Sequence, residues 1–144
     1  MTHRLRVGAA VLWTVVILIL CWTPRIYLPA PEHEGSLVHL MHLDKIVHAG
    51  IFAVFAVLWL RTSSGRPRDY LLVLLAGAAL ALLTEAVQNH PFINREGELA
   101  DGLTDVAGAI AGFPIYRFVE ARYQRWSASN RRTADSRAFA VEDA

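Results

Sequence analysis

Long runs without a charged residue dominate this chain. Val7–Trp22, Ile46–Leu60 and Leu71–Thr84 contain no Asp, Glu, Lys or Arg, and Leu103–Tyr116 contains only Asp105. A surface helix or strand of a soluble domain interleaves polar residues at its own period, which keeps one face wet. These runs do not, so they predict membrane-spanning helices. Each is somewhat shorter than the roughly 20 residues a bilayer requires, and the flanking residues close the gap. The expected fold is all-α: a polytopic membrane protein with a bundle of four transmembrane helices, over about 7–23, 44–61, 70–88 and 101–119. Its membrane domain covers residues 7–120, after a short N-terminal segment, 1–6. The arginine-rich tail, 121–144, lacks a periodic apolar face and is predicted to be disordered or to skim the membrane.

Basic residues near helix ends favour the cytoplasmic side. Arg4 and Arg6 precede the first run, Arg61, Arg66 and Arg68 follow the second, and Arg117, Arg122, Arg125, Arg131, Arg132 and Arg137 follow the fourth. The other connections hold only Arg25, Lys45 and Arg95. Both termini are therefore expected inside the cell, with residues 23–45 and 89–102 facing out from a bacterial cytoplasmic (inner) membrane. Trp22, Tyr27, Trp59, Tyr70, Tyr116, Tyr123 and Trp126 fall near the expected interfaces, where amphipathic rings settle. Pro24, Pro29 and Pro31 predict an extended first loop. The single cysteine, Cys21, cannot form an internal disulfide. Leu18-Ile19-Leu20 lacks the small residues of a lipobox and no small-x-small cleavage site follows, so the first helix is expected to stay as an anchor. The net charge of +1 gives no basis for a nucleic-acid partner.

Against this apolar background, three polar clusters sit at the helix ends expected to face out. Asp44 and His48 are four residues apart on one helix face, with Lys45 beside them. Asp44 also suits an N-cap, and Lys45 can simply snorkel to the interface. Glu85 and Gln88 share a face at the end of the third helix. Asp101, Asp105, Gly108 and Gly112 form one stripe on the fourth, where Gly108-x-x-x-Gly112 is a small-residue pattern for close helix packing. Arg95, in the preceding loop, is a neutralising partner for Asp105 or a phosphate ligand. Ionisable groups cost about 2.5–3.5 kcal/mol each at a membrane helix centre on insertion scales, so a chain that retains them either pairs them or uses them. His39, His42 and His90 are expected to be solvated.

In this order the clusters resemble the VanZ-like family of small bacterial membrane proteins. That pattern has D-K-x-x-H opening one helix, E-x-x-Q ending the next, then an arginine, then D-x-x-x-N-x-x-G opening the last. Here it reads Asp44-Lys45-x-x-His48, Glu85-x-x-Gln88, Arg95, Asp101 and Gly108, within residues 44–112. Asp105 stands where the family has Asn, and it either alters ligand choice or, protonated, hydrogen-bonds as Asn does. The family takes its name from a protein linked to low-level teicoplanin resistance, so the resemblance implies a cell-envelope context rather than a reaction.

The leading expectation is recognition or processing of an anionic envelope molecule, such as a phospholipid headgroup or a polyprenyl-phosphate cell-wall precursor, in an extracytoplasmic polar pocket. Lys45 and Arg95 would hold the anion, with Asp44, Gln88 and Asp105 completing the ligand site. His48 and Glu85 are the acid–base candidates, and Asp101 joins them. No motif implies a cofactor. A divalent metal on His48, Glu85, Asp101 and Asp105 is chemically feasible, but no close ligand spacing points to one. The alternative is a non-enzymatic membrane scaffold or interaction protein whose charges are structural ion pairs and whose tail meets anionic lipid. Membrane lipids are partners in either case, and the sequence carries no signal for an oligomeric state.

Overall fold

The computed structural model describes residues 2–23, 34–88 and 99–142, with the side chains of 34–44 and 133–142 left outside the description. Four helices make up this part, α1 His3–Trp22, α2 Glu34–Leu60, α3 Pro67–Gln88 and α4 Leu99–Glu142, with no strand among the described residues. Contacts fix an up-down-up-down order. His3 and Arg6 of α1 reach the carbonyls of Thr62 and Arg61 at the end of α2, whereas Gln88 at the end of α3 reaches Cys21 at the end of α1. α2 and α4 run parallel and share the most extensive interface, followed by α3 with α4. The core between them contains Ile17, Cys21, Phe52, Phe55, Leu60, Leu80 and Ala109.

Local chemistry explains the helix ends. α3 begins at Pro67, whose fixed φ and missing N–H suit a first helical position. Asp69 accepts a hydrogen bond from the Arg66 backbone N–H at 2.9 Å, the carboxylate half of a capping box. At the end of α2, the hydroxyls of Thr62 and Ser63 donate to the carbonyls of Trp59 and Leu60, and Arg6 donates to that of Arg61 at 3.2 Å. These bonds satisfy carbonyls that the helix leaves without partners.

Helices α1 and α3 are long and apolar enough to cross a membrane, at 20 and 22 residues. Only 17% and 22% of their apolar windows are buried in the bundle. A helix in the core of a soluble protein would be mostly covered; here Leu12, Ile19, Leu72 and Leu82 stand outward. The other two helices differ. The apolar part of α2 is Lys45–Leu60, about 24 Å of helix against a hydrocarbon layer of about 30 Å. α4 carries Asp101, Asp105 and an internal Pro114, which leaves the Ile110 carbonyl without a helical donor.

Two sequence expectations change. α2 starts at Glu34, ten residues before the expected boundary, so part of the proline-containing first connection is helical and Asp44 lies inside a helix rather than at its N-cap. α4 does not stop near residue 119 but continues to Glu142. Beyond Pro114 it has neither Gly nor Pro and is rich in Ala and Arg, which propagate a helix without a packed face.

Candidate functional site

The polar clusters converge at one end of the bundle. α2 and α4 bring them there because they run parallel in a matched register. Lys45 Nζ meets Asp101 Oδ1 at 3.0 Å. One turn further in, His48 Nδ1 meets Asp105 Oδ1 at 2.9 Å. The next turns hold small residues: Gly108 lies against the Ala49 backbone, and Gly112 against Ala53 and Ala56. A Cβ at Gly112 would come within 2.6 Å of the Ala53 carbonyl oxygen, and one at Gly108 would meet the Ala49 backbone more closely still. Close approach of the helices thus depends on both glycines, and it brings the short Asp side chains across to Lys45 and His48.

The two pairs differ in solvation. The Lys45 and Asp101 side chains are 36% and 14% exposed, whereas those of His48 and Asp105 are 6% and 0% exposed. In the buried pair, the contact between Nδ1 and the carboxylate fixes the orientation of the imidazole ring. An imidazole held by a buried carboxylate is the base-and-orienter half of many hydrolytic sites.

Helix α3 supplies the third wall. Glu85 lies against the first turn of α4, its Cγ 3.6 Å from where a Cβ on Gly102 would sit. Gln88, expected as a ligand contact, joins α3 to α1. It is 3% exposed, and its Nε2 donates to the Cys21 carbonyl at 3.0 Å, capping the last turn of α1. Thr84, one turn earlier, is equally buried and returns its hydroxyl to the Ala81 carbonyl.

His48, Lys45, Asp101, Asp105 and Glu85 are therefore gathered at one end, as the sequence led one to expect, with Gly108 and Gly112 packing the seam beneath them. The side chain of Asp44 and all of Arg95 lie outside the described residues, as do the side chains of His39 and His42 and all of His90. Among the described residues Asp105 meets His48 and Lys45 meets Asp101, while the expected contact of Arg95 with Asp105 lies outside the description. Among the described residues, no group of three or more His, Cys, Asp or Glu is placed to hold a metal ion. Sequence reasoning missed the capping of α1 by Gln88, because nothing in a Glu-x-x-Gln spacing names a carbonyl on another helix. Comparison of the chain with protein-family models, with curated proteins and with solved structures found no match.

Proposed function

We propose that this chain is a VanZ-like four-helix membrane protein with both termini in the cytoplasm, whose polar end faces outward and recognises an anionic envelope headgroup. The observation that carries this reading is the buried His48–Asp105 pair, one turn beneath the partly exposed Lys45–Asp101 pair. Lys45 supplies the cation within reach of a headgroup phosphate or carboxylate. His48, oriented by Asp105, and Glu85 supply the acid–base groups if the headgroup is processed as well as held. The exposed leucines of α1 and α3 support membrane embedding, and the arginines at the opposite end support the orientation. The link to teicoplanin resistance belongs to the same motif resemblance and gives the context of an envelope molecule.

A second reading has its own support. Both pairs join α2 to α4, so the same contacts can serve a scaffold whose charges fix helix register. Thermal unfolding in mild detergent with added polyprenyl phosphate separates the two. Recognition predicts that the lipid stabilises the wild type, by about 2.7 kcal/mol at a hundredfold excess over its Kd. It also predicts that Lys45→Gln and His48→Asn remove the shift from folded protein. A scaffold predicts no shift and variants that unfold earlier without ligand.

A further inference from the structure

At the opposite end of the bundle, an open groove of about 540 Å³ runs beside the first turn of α3. Together with an adjoining recess it is lined by Ser64, Gly65, Tyr70, Tyr116, Arg117 and Glu120. Gly65 has a φ of +69°, in the left-handed region, and a Cβ there would stand 3.4 Å from the Tyr116 hydroxyl, so the turn backbone comes right up to the groove wall. Tyr70 and Tyr116 pack edge to face, their ring centroids 6.2 Å apart.

The charge here is arranged differently from that at the polar end. There, Lys45 and His48 each meet a carboxylate. Here, Arg6, Arg61 and Arg117 form no ion pair among the described residues, where the one further pair is Arg68 with Asp69 at 3.8 Å. Glu120 acts electrostatically on the Tyr116 hydroxyl, and Arg6 and Arg61 act on it in the opposite sense. Their Nε atoms are buried with no hydrogen-bond partner among the described residues. Uncompensated guanidinium groups beside tyrosine hydroxyls form a receptor for an oxyanion. The surface that follows is apolar, with Leu71 and Leu72 exposed directly after Tyr70.

We propose that this groove binds the phosphate of an anionic phospholipid from the leaflet at the basic end. Arg117 is its principal contact, the Tyr70 and Tyr116 hydroxyls are supporting donors, and acyl chains lie along the exposed leucines. Glu120 sets the specificity: beside a carboxylate, a singly charged phosphodiester is favoured over a doubly charged phosphomonoester. The proposal rests on the chain lying in a membrane, and it is independent of what the His48–Asp105 end recognises.

The test is native mass spectrometry of the full chain in mild detergent, with phosphatidylglycerol and phosphatidylcholine of matched acyl chains in equal amount. The wild type should retain phosphatidylglycerol preferentially. Arg117→Gln, at an exposed position, should weaken that retention about fivefold. Arg117→Lys should restore most of it. Equal retention of the two lipids, or an Arg117→Gln spectrum matching the wild type, would overturn the proposal. So would loss of the lipid in His48→Asn alone, which would move the lipid to the other end. Displacement of the lipid by equimolar inorganic phosphate would also overturn it, since the site would then be one for free phosphate.

Discussion

At the scale of single residues, Asp105 is the most constrained position. Its side chain is fully buried and meets His48 at 2.9 Å. An Asn there keeps a carbonyl oxygen facing the same Nδ1, so Asp105→Asn should cost about 1 kcal/mol or less. Asp105→Leu leaves the imidazole stranded in an apolar seam and should cost about 3–5 kcal/mol, both read by thermal or denaturant unfolding in detergent. Gly108 is constrained by space instead. Gly108→Ala drives a methyl into the Ala49 backbone and should destabilise by about 1–3 kcal/mol. Gly50 is the internal control: nothing lies within 4 Å of its Cβ position, so Gly50→Ala should stabilise by about 0.5–1 kcal/mol through helix propensity. Equal effects at the two glycines would contradict the close-packed seam.

At the scale of elements, the α2–α4 seam consists of two polar pairs followed by two glycine contacts, and its couplings should rank with burial. A double-mutant cycle on Lys45 and Asp101, both partly exposed, should give about 0.2–1 kcal/mol. The cycle on His48 and Asp105 should exceed it, within the range of about 0.5–3 kcal/mol for residues in contact. This seam was legible in the sequence because a helical spacing fixes which residues share a face. Asp101, Asp105, Gly108 and Gly112 therefore fell on one stripe before any partner was known. The pairing was less legible, because register between distant helices is set by packing, and nothing in the spacing joined His48 to Asp105. The end of α2 at Leu60 was legible to within a residue, whereas α3 begins at Pro67, three residues before the expected start. Helix ends were not legible where propensity alone decides, as in the continuation of α4 to Glu142. Beyond Glu120, Gln124 bonds Glu120 and Arg131 bonds Ser127 within the same helix, so truncation after Asn130 should reduce the far-UV helical signal with little change in the unfolding midpoint of the bundle.

At the scale of the whole molecule, the two ends of one bundle carry different chemistry. Paired ionisable groups gather at one end, while at the other Arg117 lines an open groove and forms no ion pair among the described residues. The proposed orientation, with the arginine-rich end cytoplasmic, rests on the preference of cationic ends for that side. In a Cys21→Ser background, Ser64→Cys should therefore resist an impermeant maleimide in intact cells and react once the membrane is opened. The central claim is that the polar end holds a ligand rather than only its own helices, and native mass spectrometry of wild type beside Glu85→Gln tests it most directly. The account predicts an envelope lipid or glycan precursor retained by the wild type and lost from a variant that remains folded. A wild type that carries nothing, beside a variant that falls apart, would contradict it and leave these charges as the fastening of the bundle.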